Sequence, residues 1–277
     1  MRAALLQLNS SDEPGENLAT VRAGMARAAG EGAGYILTPE VTNCVSASRS
    51  HQREVLRHEG DDPVLAGLRE EAAKLGAWLL IGSLALKTDD AEGRFANRSF
   101  LISPEGGIVA RYDKIHMFDV DITETESYRE SSAFRPGTRA VLADTPFARL
   151  GLSVCYDVRF PSLYRALAKA GAEVLTVPAA FSPVTGEAHW ETLLRARAIE
   201  TGCYVLAPAQ CGEHRVSRGK PRRTWGHSLA VAPWGEVLAR AGEAPDILYV
   251  DLDRAEVERA RKRVPALTHD REFELPT

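Results

Sequence analysis

The chain has 277 residues, 44% of them apolar and 26% charged, with a net charge of −4. That length suits one large α/β domain with a substantial core, and the slightly acidic balance argues against nucleic acid or an anionic membrane as partner. The amino terminus has only a short apolar run, no stretch reaches the ~20 apolar residues of a membrane span, and the four cysteines lack CxxC spacing, so a reducing cytoplasm without zinc or disulfides is expected.

Arg2 to Leu8 reads as a buried strand and Glu16 to Gly30 as an amphipathic helix. Tyr35 to Thr38 is a second strand, stopped by Pro39-Glu40, because a proline after a strand ends the ladder. Asp62-Pro63 opens a helix that runs to Leu75 and stops at Gly76. Ala77 to Leu86 is a strand interrupted by Gly82, and Arg98 to Ile102 with Ile108 to Tyr112 forms a hairpin. Asp113 to Thr138 is polar and aperiodic, a length of irregular chain that is usually functional or mobile. Ala148 to Val154 is a strand, Ser162 to Ala170 a helix, Glu173 to Pro178 a strand and His189 to Gly202 a strong helix. Strands follow at Tyr204 to Ala209, Ser228 to Ala232, Val237 to Ala241 and Ile247 to Asp251, then a charged helix at Arg254 to Arg263. Hairpins mixed with alternating strands and helices, in two halves of similar plan and with no linker, fit a single domain over residues 1–277 with a mixed sheet or two packed sheets.

Three side chains follow strands directly: Glu40, Lys114 and Cys155. Ligands gather at the carboxyl ends of strands in α/β proteins. A thiolate attacks an acyl carbon, a carboxylate carries the proton and an ammonium balances the oxyanion, so the three make chemical sense together. The N–H of Tyr156 is a second candidate oxyanion donor. Singly, each has an ordinary reading: a small buried cysteine, a solvated glutamate, an exposed strand end. There is no Gly-x-Ser-x-Gly turn and no phosphate loop.

The runs Leu37-Thr-Pro-Glu40, Arg111-Tyr-Asp-Lys114-Ile-His-Met-Phe-Asp119 and Gly151-Leu-Ser-Val-Cys155-Tyr-Asp-Val-Arg-Phe-Pro161 resemble the three motif regions of the carbon–nitrogen hydrolase (nitrilase) superfamily. The likeness continues through Ala188 to Thr201, Cys203-Tyr-Val205, Gly226-His-Ser228 and Pro233 to Val237, and so covers nearly the whole chain. The resemblance implies a four-layer αββα sandwich of two packed mixed sheets, no metal and no organic cofactor. It makes Glu40 the general base and acid, Lys114 the oxyanion holder and Cys155 the nucleophile that forms a thioester. The family's second glutamate falls among Glu124, Glu126 and Glu130; the context of Glu130 matches, and Glu126 is the runner-up.

Within the superfamily the chain looks most like the small amidases that include deaminated glutathione amidase and omega-amidase. The likeness favours the first of these and implies hydrolysis of a primary amide of a small 2-oxo acid, of the deaminated glutathione type, with release of ammonia. The alternatives are an omega-amidase on 2-oxoglutaramate, a nitrilase or N-carbamoyl amidohydrolase, and, in another class, a catalytically silent binding scaffold. A substrate carboxylate needs a cation, for which Arg159 is the candidate, with Phe181 and Thr185 lining the pocket. The basic run Arg218 to Arg223 is placed to reach the entrance, and is too short to argue for nucleic acid. His116, His189 and His227 are expected to be structural, His189 at the start of its helix. Trp190 and Trp234 are read as packing, Cys203 and Cys211 as buried, Cys44 as a pocket residue, and Arg195 and Arg197 as surface or interface groups. Family members commonly pair through helices on one face, so a homodimer or higher homo-oligomer is expected, with a small amide and water as the other partners.

Overall fold

Strand β1 (Arg2–Gln7) is buried from Ala3 onward on both faces, and a strand buried on both sides needs cover on both. Side chains alternate across a strand. Ala3 and Leu5 therefore join Tyr35, Leu37, Leu150 and Leu152 in one core, while Ala4 and Leu6 join Val21, Met25 and Leu68 in another. The first core lies between two sheets; the second lies between a sheet and its helices.

In this computed structural model, which describes residues 1–124 and 126–274, the elements follow in order. After β1 come α1 (Pro14–Gly30), β2 (Tyr35–Leu37), α2 (Arg49–Val55), α3 (Pro63–Leu75), β3 (Trp78–Leu86), β4 (Ala96–Ile102) and β5 (Ile108–Asp113). The middle of the chain holds β6 (Asp119–Asp121), β7 (Ser127–Arg129), β8 (Val141–Asp144), β9 (Arg149–Leu152), α4 (Pro161–Lys169), β10 (Val174–Thr176) and α5 (Pro183–Thr201). The last part holds β11 (Tyr204–Ala207), β12 (Cys211–Glu213), β13 (Arg223–Trp225), β14 (Leu229–Val231), β15 (Val237–Arg240), β16 (Asp246–Asp251) and α6 (Arg254–Arg263).

One sheet runs β16-β1-β2-β3-β4-β5 and the other β15-β14-β11-β10-β9-β8. Each has a parallel centre, β1-β2-β3 and β9-β10-β11, flanked by antiparallel strands. Helices α1 and α3 cover the outer face of the first sheet, and α4 and α5 pack on the second. The result is the four-layer αββα sandwich.

Several boundaries differ from the sequence reading for local reasons. Helix α5 begins at Pro183 instead of His189: proline at the first position is a helix start, and Gly186, which reads as a breaker, is where a Cβ would meet the Trp225 ring at 2.3 Å. His189 thus sits well inside the helix. Helix α2 has no apolar periodicity, and the Ser48 side chain caps it by accepting from His51 N–H. Strand β8 is only four residues long and is defined by its pairing with β9. Gly82 does not interrupt β3; the ladder with β4 shifts register between Ile81 and Leu84. The Asp113–Thr138 stretch contains the β6–β7 hairpin and a 3₁₀ turn at Glu130–Ser132.

Candidate active site

Glu40 leaves the end of β2 in a segment that crosses β3 closely. A Cβ on Gly82 would stand 2.0 Å from the Thr38 carbonyl and 2.5 Å from that of Pro39, so only glycine permits the crossing. Thr42 Oγ1 donates to Pro39 O at 2.7 Å, and Ser83 Oγ accepts from Val41 N–H at 2.8 Å, with Val41 at φ 47°. Glu40 is buried and its orientation is fixed from both sides. Ala180 N–H donates to Oε2 at 2.8 Å, and Asn97 Nδ2 to Oε1 at 2.8 Å.

Lys114 follows β5 and is 2% exposed, which no unpaired ammonium tolerates. Its Nζ lies 3.0 Å from Glu40 Oε1 and 2.9 and 2.8 Å from the two oxygens of Glu130. Glu130 is held in turn by Phe118 N–H at 2.7 Å.

Cys155 begins the 3₁₀ turn after β9 with φ 51°, a left-handed conformation that costs a non-glycine residue roughly 1–3 kcal/mol. Its N–H donates to Pro178 O at 2.9 Å. Two residues on, the fully buried Asp157 carboxylate accepts from Val154 N–H at 2.8 Å, Tyr112 Oη at 2.7 Å, and the backbone N–H and Nδ1 of His116 at 3.0 and 2.7 Å. One carboxylate therefore ties the cysteine turn to the lysine loop.

Electrostatics assigns the resting proton. Burial pushes the Glu40 carboxyl up, but Lys114 and then Arg222 outweigh it, and the net shift is downward. Burial also pushes the Cys155 thiol well up, with Glu40 adding and Lys114 opposing. Burial alone would lower Lys114, yet Glu130 and Glu40 raise it. The resting centre is a neutral thiol beside an ionised carboxylate and an ammonium.

These side chains meet in a cavity of about 490 Å³, which Tyr156, Phe181 and Thr185 also line. Glu126 instead takes the hydroxyls of Tyr128 and Ser182 at 2.9 and 3.1 Å, and Glu124 is exposed. Arg159 is not among the lining residues. Its guanidinium lies over the Phe181 and Tyr156 rings, 5.5 and 5.9 Å from their centres, beside His189 Nδ1 at 3.2 Å. The cavity's arginines are Arg49, Arg129 and Arg222.

A family model for carbon–nitrogen hydrolases matches residues 2–262. The chain belongs to the carbon–nitrogen hydrolase family. It is 42% identical to the deaminated glutathione amidase of Yersinia enterocolitica over 97% of this chain and 92% of that one. Among solved structures it resembles the Caenorhabditis elegans NitFhit protein at TM-score 0.90 and 36% identity, over 98% of this chain and 65% of that chain. It also resembles an amidase from Nesterenkonia, solved with acrylamide added to its active-site cysteine, at TM-score 0.77 and 28% identity over 96% and 98% of the two chains.

The remaining residues of this carbon–nitrogen hydrolase sort by packing. His116 stacks on Phe160 with ring centres 3.5 Å apart, and His227 on Trp225 at 4.2 Å. Trp190 is buried and donates to His227 O at 2.8 Å, whereas Trp234 lies on the surface under Arg263. Cys44, Cys203 and Cys211 are buried, and Cys44 lines the cavity. Arg195 is a surface group, but Arg197 is not: it is 5% exposed and donates from Nε to Val158 O at 2.8 Å, bracing the cysteine turn from α5. Among the described residues, Asp12, Glu13 and His51 come within metal-ligating distance of one another, but Asp12 Oδ2 already accepts from Ser217 N–H and Oγ at 2.8 and 2.9 Å. Asn97 and Asp157 are the site residues that sequence reading passes over, and Arg222 is reached only as part of the basic run Arg218 to Arg223 expected at the entrance. Asn97 is the second residue of β4 and carries no local signal, and nothing in the basic run separates Arg222 from its neighbours.

Proposed function

We propose that this chain hydrolyses the amide of a small 2-oxo acid of the deaminated glutathione type through a cysteine thioester. The observation that carries the reading is the Lys114 ammonium gripping Glu40 and Glu130 in the same cavity as Cys155. Identity of 38–42% to enzymes named deaminated glutathione amidase supports the substrate class. Glutathione joins its residues by secondary amides, so with its deaminated form the leaving group is an amine. With 2-oxoglutaramate it is ammonia, as the sequence reading expects.

Glu40 takes the Cys155 proton as sulfur bonds to the carbonyl carbon. The oxyanion forms between the Lys114 ammonium and the Tyr156 N–H. The C–N bond then breaks, and protonated Glu40 gives its proton to the departing nitrogen. Water loses a proton to Glu40 and its oxygen bonds to the thioester carbon. The S–C bond breaks, the proton returns to sulfur, and the acid leaves. Glu130 orients Lys114, and Phe181 and Thr185 shape the acyl pocket.

The test is release of ammonia or amine from deaminated glutathione, 2-oxoglutaramate, a simple nitrile and an N-carbamoyl amino acid. Cys155→Ser is expected to fold, with no turnover and no acyl adduct. Turnover of the nitrile alone, or an acyl adduct on Cys203 or Cys211 of the wild type, would overturn the reading. The same proposal includes a single domain over 1–277, a cytoplasmic setting suited to four free thiols, and pairing of copies through the α5 face, where Ile199 is 57% exposed. A clean monomer by light scattering would refute the pairing.

A further inference from the structure

We propose that Arg222, and not Arg159, reads the substrate's carboxylate, and that the loop carrying it is the specificity element of the site. This rests on the amidase reading above. An anionic substrate faces a difficulty at this centre: Glu40 and Glu130 oppose the single ammonium of Lys114. That excess negative charge repels a carboxylate, so a further cation is needed close by.

Three arginines line the cavity, and their existing partners separate them. Arg129 is committed to Asp121, with Nη2 at 2.7 and 2.9 Å from its two oxygens. Arg49 shares with Arg222 a buried Nε that has no partner among the described residues, but it lies over the Phe95 ring and both its terminal nitrogens donate to the Ser132 and Gly93 carbonyls, and it is not among the groups whose charge acts on Glu40. Arg222 is half-buried, its Nη2 donates to Ala180 O at 2.5 Å, and its buried Nε has no partner among the described residues. No ion pair among the described residues engages it. Its charge is nevertheless felt at Glu40, second only to that of Lys114. Ala180, whose carbonyl it holds, is also the residue whose N–H fixes Glu40. A guanidinium with unused donors, one residue removed from the base, suits a carboxylate oxygen.

The loop is built to deliver it. Arg222 directly precedes β13 and its carbonyl accepts from His214 N–H at 2.8 Å. Ser217 is fastened to buried Asp12, and Arg218 turns outward to Glu54 at 2.7 Å. Of the basic run, one arginine anchors the loop and another enters the cavity.

The experiment compares kcat/KM for 2-oxoglutaramate and for butyramide, a neutral amide, in the wild type, Arg222→Gln, Arg222→Lys and Arg159→Gln. Acrylamide alkylation of Cys155, read by mass spectrometry, is run with and without 2-oxoglutarate as a protecting dicarboxylate. Arg222→Gln is expected to lower the ratio of the two kcat/KM values about 10²-fold and to abolish protection. Arg222→Lys should recover part of each, and Arg159→Gln should leave the ratio in place. Equal loss on both substrates in Arg222→Gln, retained protection, or a shifted ratio in Arg159→Gln overturns the proposal. A wild type inactive on 2-oxoglutaramate and on deaminated glutathione refutes the amidase reading itself, which separates the two failures.

Discussion

Asn97 Nδ2 stands 2.8 Å from Glu40 Oε1, the same oxygen that Lys114 approaches at 3.0 Å. The Glu40 carboxylate, the base of the proposed mechanism, is thus held by a neutral donor as well as by the cation, and the amide also reaches Glu130 at 3.4 Å. Asn97 is a positioning residue. Asn97→Ala removes a donor from a buried carboxylate, a loss of about 1–3 kcal/mol. We expect kcat to fall at least ~10-fold with little change in KM, and Glu40 to titrate higher. An acid limb of the pH–rate profile that stays in place would show Asn97 to be packing alone.

Lys114→Met should cost ~10²–10³ in rate through the lost oxyanion partner. It should also destabilise the fold, since Glu40 and Glu130 lose their common counter-charge, a loss of about 3–5 kcal/mol for a broken buried pair. Adding Glu130→Gln should restore part of the stability and none of the activity. Denaturant melts of the single and double variants, paired with turnover, check both halves.

The pH dependence has two signs. Glu40 titrates below its ordinary value in the fold. Its contribution to stability is therefore present above the unfolded carboxylate range and disappears as pH falls through the lower folded value. Burial holds the Cys155 thiol well above its ordinary range, so stability declines as pH rises past the unfolded thiol's pKa. Melting curves should show the alkaline decline vanish in Cys155→Ala. A decline that survives that substitution assigns it elsewhere.

His116→Asn should leave the pH–rate profile as it is in the wild type, because His116 has its Nδ1 on Asp157 at 2.7 Å and its ring stacked on Phe160, away from the reaction. Asp157→Ala, by contrast, orphans four donors that hold the cysteine turn and the lysine loop. It should lower the melting temperature by several degrees along with activity. A limb that appears only with His116 present would restore the histidine to the chemistry.

What the sequence discloses here is what local rules govern. Asp62 and Gly76 bound α3 as capping chemistry requires, and Pro39 stops β2. The three chemical residues show because each lies within three residues of a strand's carboxyl end. Long-range fits stay hidden: Gly186 looks like a breaker until Trp225 is laid against it, and β8 exists only through β9. Arg222 and Arg159 are equally basic on paper, and only tertiary packing sends one into the cavity and the other behind its rings.

Asn97 lies on a strand of the first sheet and Glu40 and Lys114 follow two others, while Cys155 and Ala180 follow strands of the second. Glu40 and Cys155 therefore straddle the seam of the sandwich, and on the proposed mechanism the core between the sheets sets their proton-transfer distance. A cavity made there, for example by Leu152→Ala or Leu37→Ala, would let the layers drift by tenths of an ångström. Such variants should lose turnover before they lose fold, making residues distant from substrate behave as catalytic lesions.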